Sequence, residues 1–364
     1  MKIKAILDIL EQMAPLAYAE DFDNVGLLTG NADDTATGVL VCHDALESVI
    51  DEAIAKNCNL VVCFHPILFS GIKKLTGKTY VERALLKAIK NDIALYAVHT
   101  ALDNHKQGVN KIFCDALGII NTKVLVPKEN FIYKLVTYTT PENAEKLRNA
   151  LFKAGAGNIG NYENCSYSSQ GTGTYKGTDE SNPVIGERGE FIESDEIKIE
   201  VTFEKDLKNR VLKALFNNHI YEEVAYELYQ LQNQHQNIGL GMTGELETAI
   251  DEKEFLLHVK DKMQAGGIRH SEFTNKQIKK VAVLGGSGSF AIKNAIAAGA
   301  DAYITADLKY HNFYEAENKI LLADIGHFES ERYTKNYIAD YITKRVEGVP
   351  VLITLVNTNP VKYL

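Results

Sequence analysis

The chain lacks a disulfide framework. Its five cysteines, Cys42, Cys58, Cys63, Cys114 and Cys165, form no CxxC pair and are odd in number. No signal-peptide pattern is evident, so a reducing, cytoplasmic setting is the expectation. No apolar run approaches the length of a membrane span. Positive charge is also short. A net charge of −9 and a pI near 5.6 argue against a dedicated nucleic-acid or anionic-membrane binder. What is present is ordinary for a globular protein, with 45% hydrophobic and 24% charged residues. At 364 residues the chain is too long for one core, so two or three domains are expected.

Strand-like and helix-like patterns alternate at both ends. Near the start, residues 3–13 read as an amphipathic helix. Strands at 38–42, 59–63 and 93–98 then alternate with helices at 47–56, 80–90 and 109–117. The rhythm returns after residue 239, with strands at 241–246, 268–273, 280–284, 302–306 and 351–355. Helices are predicted there at 252–263, 292–298 and 312–319, with a long last helix to 345. Such alternation predicts largely parallel sheet covered on both faces. Between the two ends, strands and helices follow the order β-α-β-β-α-β of a ferredoxin-like unit, with a Gly/Ser/Asn/Tyr-rich stretch at 155–189 and a last strand at 221–228. The expected fold is therefore α/β, with two similar halves, residues 1–124 and 236–364, packed around a metal cleft. An α+β domain, 125–235, is inserted between them.

The halves repeat one another. Residues 52–65 can be laid over 294–307, and 93–98 over 320–325. In this register Thr100 falls opposite His327 and Asn104 opposite Glu331. His327 and Glu331 are four apart where a strand gives way to a helix, so both side chains can reach one point. Alone, this reads better as a helix start, with Glu331 near its positive end and His327 a satisfied polar residue. Paired halves would bring His65 and Asp103 toward His327 and Glu331, a mixed N/O donor set suited to zinc, manganese or iron. The loop 285–289 follows a strand and opens a helix, with Asp307 at the next strand's end. Its Gly286, Ser287 and Gly288 suit a phosphate contact or a plain tight turn better than a dinucleotide site, and the GK[ST] ending of a Walker loop is missing.

Several stretches together resemble the GTP cyclohydrolase 1 type 2 homologues, the NGG-interacting-factor or dinuclear-metal-centre family. They are Asp23-Asn24-Val25-Gly26-Leu27, His65-Pro66, His99-Thr100-Ala101-Leu102-Asp103, the glycine loop, Thr305-Ala306-Asp307-Leu308-Lys309-Tyr310-His311 and Gly326-His327-Phe328 with Glu331. The middle region is similar to the PII-like or CutA-like insert of longer members. The resemblance implies a homohexamer built as a trimer of dimers, with a divalent metal centre in each chain. It implies His65, Asp103, His327 and Glu331 as ligands. The family's paired histidines are Phe64-His65 here, and phenylalanine cannot ligate, so one or two metals per chain are expected. Cys63, His99 and His311 are nearby alternatives. Strand alternation points Cys63 and His65 to one face and Phe64 to the other. The two histidines serve equally as hydrogen-bond partners behind the ligands or as surface residues. The activity implied is metal-dependent hydrolysis of GTP or another nucleotide or phosphorylated compound, through attack of an activated water on the purine C8. Gly286, Ser287, Gly288, Lys309 and His311 are candidate phosphate contacts, and His99 and Asp307 candidate neighbours of the metal. The other reading is a non-catalytic metal-binding assembly whose insert recognises a small molecule or partner.

Overall fold

The inner strands of the first sheet are buried on both faces. A computed structural model describes residues 1–364. It divides into two units, Met1–Pro127 with Asn237–Leu364, and Lys128–Gln236. The first unit opens with α1 (Ile3–Met13), which buries Ile3, Ile6, Leu7, Leu10 and Met13 at helical spacing. β1 (Gly26–Thr29), β2 (Val39–Asp44), α2 (Glu47–Ala55), β3 (Leu60–His65), α3 (Tyr80–Lys90) and β4 (Ala94–Ala97) follow. The Thr79 hydroxyl caps α3 by accepting from the Glu82 amide. A five-residue helix, α4 (His99–Asp103), then α5 (Val109–Leu117) and β5 (Ile120–Pro127) complete this part.

The second unit holds β6 (Ile132–Thr139), α6 (Pro141–Lys153), β7 (Tyr167–Lys176), β8 (Phe191–Glu204), α7 (Lys208–Asn218) and β9 (Tyr226–Leu231). Its antiparallel sheet runs β7-β8-β6-β9, the ferredoxin-like order. On β8, Ile197, Ile199, Val201 and Phe203 join the core by strict alternation. β7 lies in the Gly/Ser-rich stretch and is mostly exposed, so its pairing with β8, not its own composition, makes it a strand. β9 begins at Tyr226 and not at 221.

The chain then returns to the first unit with β10 (Gly239–Asp251), α8 (Glu252–Lys262), β11 (Arg269–His270), β12 (Gln277–Ser287), α9 (Ile292–Ala297) and β13 (Ala302–Ala306). A 3-10 segment, Tyr310–Ala316, replaces the helix expected at 312–319. β14 (Leu321–Asp324), α10 (His327–Glu331), α11 (Thr334–Thr343) and β15 (Val351–Ile353) end the chain, so the predicted long last helix is two helices.

The two sheets run β1-β4-β3-β2-β15 and β11-β14-β13-β12-β10-β5. Each half therefore lends its last strand to the other's sheet. The preceding helices cross as well. Ile338 and Ile342 of α11 pack under the first sheet, and Phe113 and Leu117 of α5 pack under the second. A cut by sequence cannot separate halves that share their cores in this way.

Candidate metal centre

A glycine turn sets the centre's geometry. After β14, Gly326 takes φ +95°, where an added Cβ would sit 2.3 Å from a Glu329 carboxylate oxygen. α10 starts immediately, and its first and last residues are His327 and Glu331. Four apart on a helix, they face one way, with His327 Nε2 3.4 Å from Glu331 Oε2. β3 ends at His65, whose Nε2 lies 3.3 Å from that oxygen and 3.4 Å from His327 Nε2. β2 adds His43, with Nε2 3.2 Å from the same oxygen. Gly286 lets the carboxylate in, since a Cβ there would meet Glu331 Oε1 at 2.5 Å. Three of these residues come from strand carboxyl ends or the turns just beyond them, the edge where open α/β sheets bind ligands.

Carboxylates orient the imidazoles from behind. Asp44 Oδ1 is 2.9 Å from His65 Nδ1, Asp307 Oδ2 is 2.7 Å from His327 Nδ1, and Asp23 Oδ1 is 2.8 Å from His99 Nδ1. Each contact holds one ring nitrogen and turns the other inward, as carboxylate–histidine–metal arrangements do. Thr358 in turn donates to Asp44 at 2.7 Å, and Ser287 donates to Asp307.

Burial disfavours charge on Glu331, yet His327 and His65 outweigh it and hold its carboxyl well below the usual range. Burial also opposes the His65 imidazolium, but Glu331 and Asp44 raise it to about 10. His327 is raised in the same way, chiefly by Glu331 against burial. Asp103 behaves oppositely. Burial, then the Glu331 charge, push its carboxyl well above the ordinary value, and its Oδ1 has no partner.

The donor set fits a divalent cation. Donors held at roughly 2.0–2.1 Å around a tetrahedral zinc stand about 3.3 Å from one another. The spacings of 3.2–3.4 Å around Glu331 Oε2 match that edge. Glu331 Oε2 is itself buried without an aligned hydrogen bond. Two overlapping groups, His43 with Asp44 and His65, and His65 with His327 and Glu331, each keep their ligand atoms within 4.8 Å of one another.

Of the residues named from sequence, His65, His327 and Glu331 converge directly, and Asp103 is close enough to feel the Glu331 charge. His99 stacks edge-on to His65 at 5.2 Å between ring centres. Its helix spans His99–Asp103, so by helix position these two match His327 and Glu331, one place from the register of Thr100 and Asn104 that the preceding strands keep. Asn104 instead donates to the Tyr18 and Thr100 carbonyls and to Glu20. In the glycine loop, the Gly285 and Gly286 amides donate to Asn110 and Ser330, and the Gly288 carbonyl accepts from Tyr303. Gly286 thus serves the approach of Glu331. Lys309 and His311 are exposed in the 3-10 segment, where Lys309 N bonds Asn312 and His311 packs on Tyr310 and Tyr314. Cys63 faces the opposite core, donates to the Tyr96 carbonyl at 3.3 Å, and burial pushes its thiol up to about 12.

Sequence reasoning missed His43 and Asp44 because β2 was expected to stop at 42. The strand runs on to Asp44, which pairs in register with His65. The available signal was a His-Asp pair continuing a buried parallel strand beside another that ends in histidine.

A cavity of about 410 Å³ opens from this cluster, walled by His43, His65, Arg269, Asp307, Phe328 and Tyr363. Residues 1–360 match the family model described as Duf34/NIF3 (NGG1p interacting factor 3). A Bacillus subtilis protein named GTP cyclohydrolase 1 type 2 homolog is 38% identical over 365 residues, covering 99% of this chain and 98% of the relative. A Staphylococcus aureus protein of the same name is 31% identical over 368 residues, covering all of both. A solved Bacillus cereus protein related to NIF3 superposes with a TM-score of 0.85 at 34% identity, covering 100% of this chain and 99% of that one. Agreement in sequence and in fold over essentially the whole length leaves one assignment: the chain belongs to the Duf34/NIF3 family.

Proposed function

We propose that this protein binds one or two divalent metal ions at the Glu331 centre and hydrolyses a nucleotide or related phosphorylated compound there. The observation that carries this reading is the convergence of three imidazole nitrogens on Glu331 Oε2 beside the 410 Å³ cavity. That volume lies within the range of small-molecule sites. A divalent cation supplies Lewis acidity that lowers the pKa of a water. The chain's own residues do the rest. Asp44 and Asp307 fix the ligand imidazoles. His99, held at Nδ1 by Asp23, can take or give a proton at Nε2. The Arg269 side chain, bonded to Asp324 and the Leu308 carbonyl, remains more than half exposed at the cavity wall and suits a phosphate. The names of the relatives favour GTP as the first compound to try. Zinc- or manganese-loaded protein is expected to release formate from GTP or phosphate from a nucleotide. Metal-loaded protein that does neither overturns the hydrolase reading.

A second reading is favoured by the inserted unit. It holds its own cavity of about 470 Å³, walled by Tyr138, Tyr175, Tyr221, Glu196 and Glu222. In this reading the chain is a metal-binding assembly, and the insert senses a small molecule. Homohexamer formation belongs to both readings, and light scattering tests it.

A further inference from the structure

We propose that His43 is itself a metal ligand of the Glu331 centre, its imidazole entering from β2 beside Phe64. The inference rests on the metal-binding reading above. β2 and β3 are parallel, with Cys42 opposite Cys63 and Asp44 opposite His65. His43 therefore stands beside Phe64, on the face shared by Val39, Val41, Leu60 and Val62. Phe64 is fully buried and offers no donor atom. The neighbouring strand supplies an imidazole at the same level of the sheet.

The surroundings of His43 give it no other use for its nitrogens. The side chain is 2% exposed, and neither ring nitrogen makes an aligned hydrogen bond. Its ring lies 5.3 Å from Phe64 and 5.2 Å from Phe328, both apolar. Glu331 Oε2 stands 3.2 Å away, itself without an aligned partner, and Asp44 and His65 offer further ligand atoms within 4.8 Å. Buried polar groups are nearly always satisfied, so an imidazole and a carboxylate oxygen that face each other with neither making an aligned hydrogen bond point to a missing third party. A borderline cation such as zinc satisfies both, because it takes neutral imidazole nitrogen and carboxylate oxygen together. His65, His327 and Glu331 supply three donors, and His43 supplies a fourth.

Cobalt(II) is the probe. In His43→Cys a thiolate-to-cobalt charge-transfer band is expected in the near ultraviolet, because only a coordinated sulfur gives one. His43→Gln is expected to lower cobalt or zinc affinity, measured against a chelator, by at least about tenfold. Adding Phe64→His to His43→Gln is expected to recover most of that loss, since the two positions are neighbours on one face. Circular dichroism checks that each variant folds, and the small, uncharged His43→Cys keeps the test available if His43→Gln does not. A cobalt-loaded His43→Cys without the band, or a folded His43→Gln that binds as tightly as wild type, overturns the proposal alone. Wild-type protein that takes up neither metal overturns the metal-binding reading with it.

Discussion

α4 and α10 are five-residue helices at matched places in the two halves, and their closing acids carry opposite states. Glu331 has three imidazoles around one oxygen and stays ionised. Asp103 has an unpartnered buried oxygen and feels the Glu331 charge, and its carboxyl is pushed well above the ordinary value. Backbone position is shared, and neighbours set the charge. A cation entering the cleft would favour the ionised form of both carboxyls, and most of all the one that burial and the Glu331 charge now push up.

The largest effect that tests this comparison is expected from Glu331→Gln. It removes the charge that three imidazoles surround, so bound metal measured by elemental analysis should fall to background. The buried imidazoliums of the metal-free protein lose their partner, and urea unfolding should show a loss of about 3–5 kcal/mol. Asp103→Asn should behave differently. A neutral amide resembles the neutral acid, so metal-free stability should hold within about 1 kcal/mol of wild type. The thermal shift on adding zinc should shrink sharply. Equal destabilisation by the two variants without metal would erase the distinction between the corners.

Asp307→Asn removes the acceptor behind His327 Nδ1 and should weaken metal binding about 10–100-fold while leaving the fold intact. The metal-free cluster also sets a pH dependence. The folded values of His65 and His327 are raised, His65 to about 10, and that of Asp103 is raised too, so each favours its protonated form in the metal-free cluster. Metal uptake should therefore release protons, and affinity should rise with pH across the neutral range and above. Calorimetry in buffers of different ionisation enthalpy reads the proton count directly.

The smallest effect lies away from the centre, where the exchanged strand β15 is fastened. Burial works against the Glu52 carboxylate, but Lys56, Thr354 and the Leu355 amide outweigh it and lower it from 4.5 to about 2. A depressed carboxylate stabilises above its unfolded value, so this contribution is present at neutral pH and is lost as pH falls from about 4.5 toward 2. Glu52→Gln should cost about 1 kcal/mol and flatten that part of the acid unfolding curve.

Much of the architecture was legible because it is written locally. The helices Ile3–Met13, Tyr80–Lys90 and Val109–Leu117 follow from apolar spacing, and β13 from an unbroken buried run between polar ends. Elements that depend on a neighbour were harder to read. β7 is a strand only through β8, and β11 shrinks to two residues on the edge of its sheet. In the centre, His65, His327 and Glu331 could be named because motif and spacing mark them. His43 could not, since nothing local separates it from any histidine after a strand.

The sequence by itself determined the alternation of strands and helices, the likeness of the two halves and the turns that hold most of the donor residues. Those properties follow from periodicity, composition and short-range spacing. Only the tertiary structure decided that the halves exchange their last helix and strand, that Gly286 makes room for the Glu331 carboxylate, and that His43 faces Glu331 beside Phe64. Each of these depends on the lateral register of strands and the burial of polar atoms, which pairing across the sheet fixes and the linear order of residues does not.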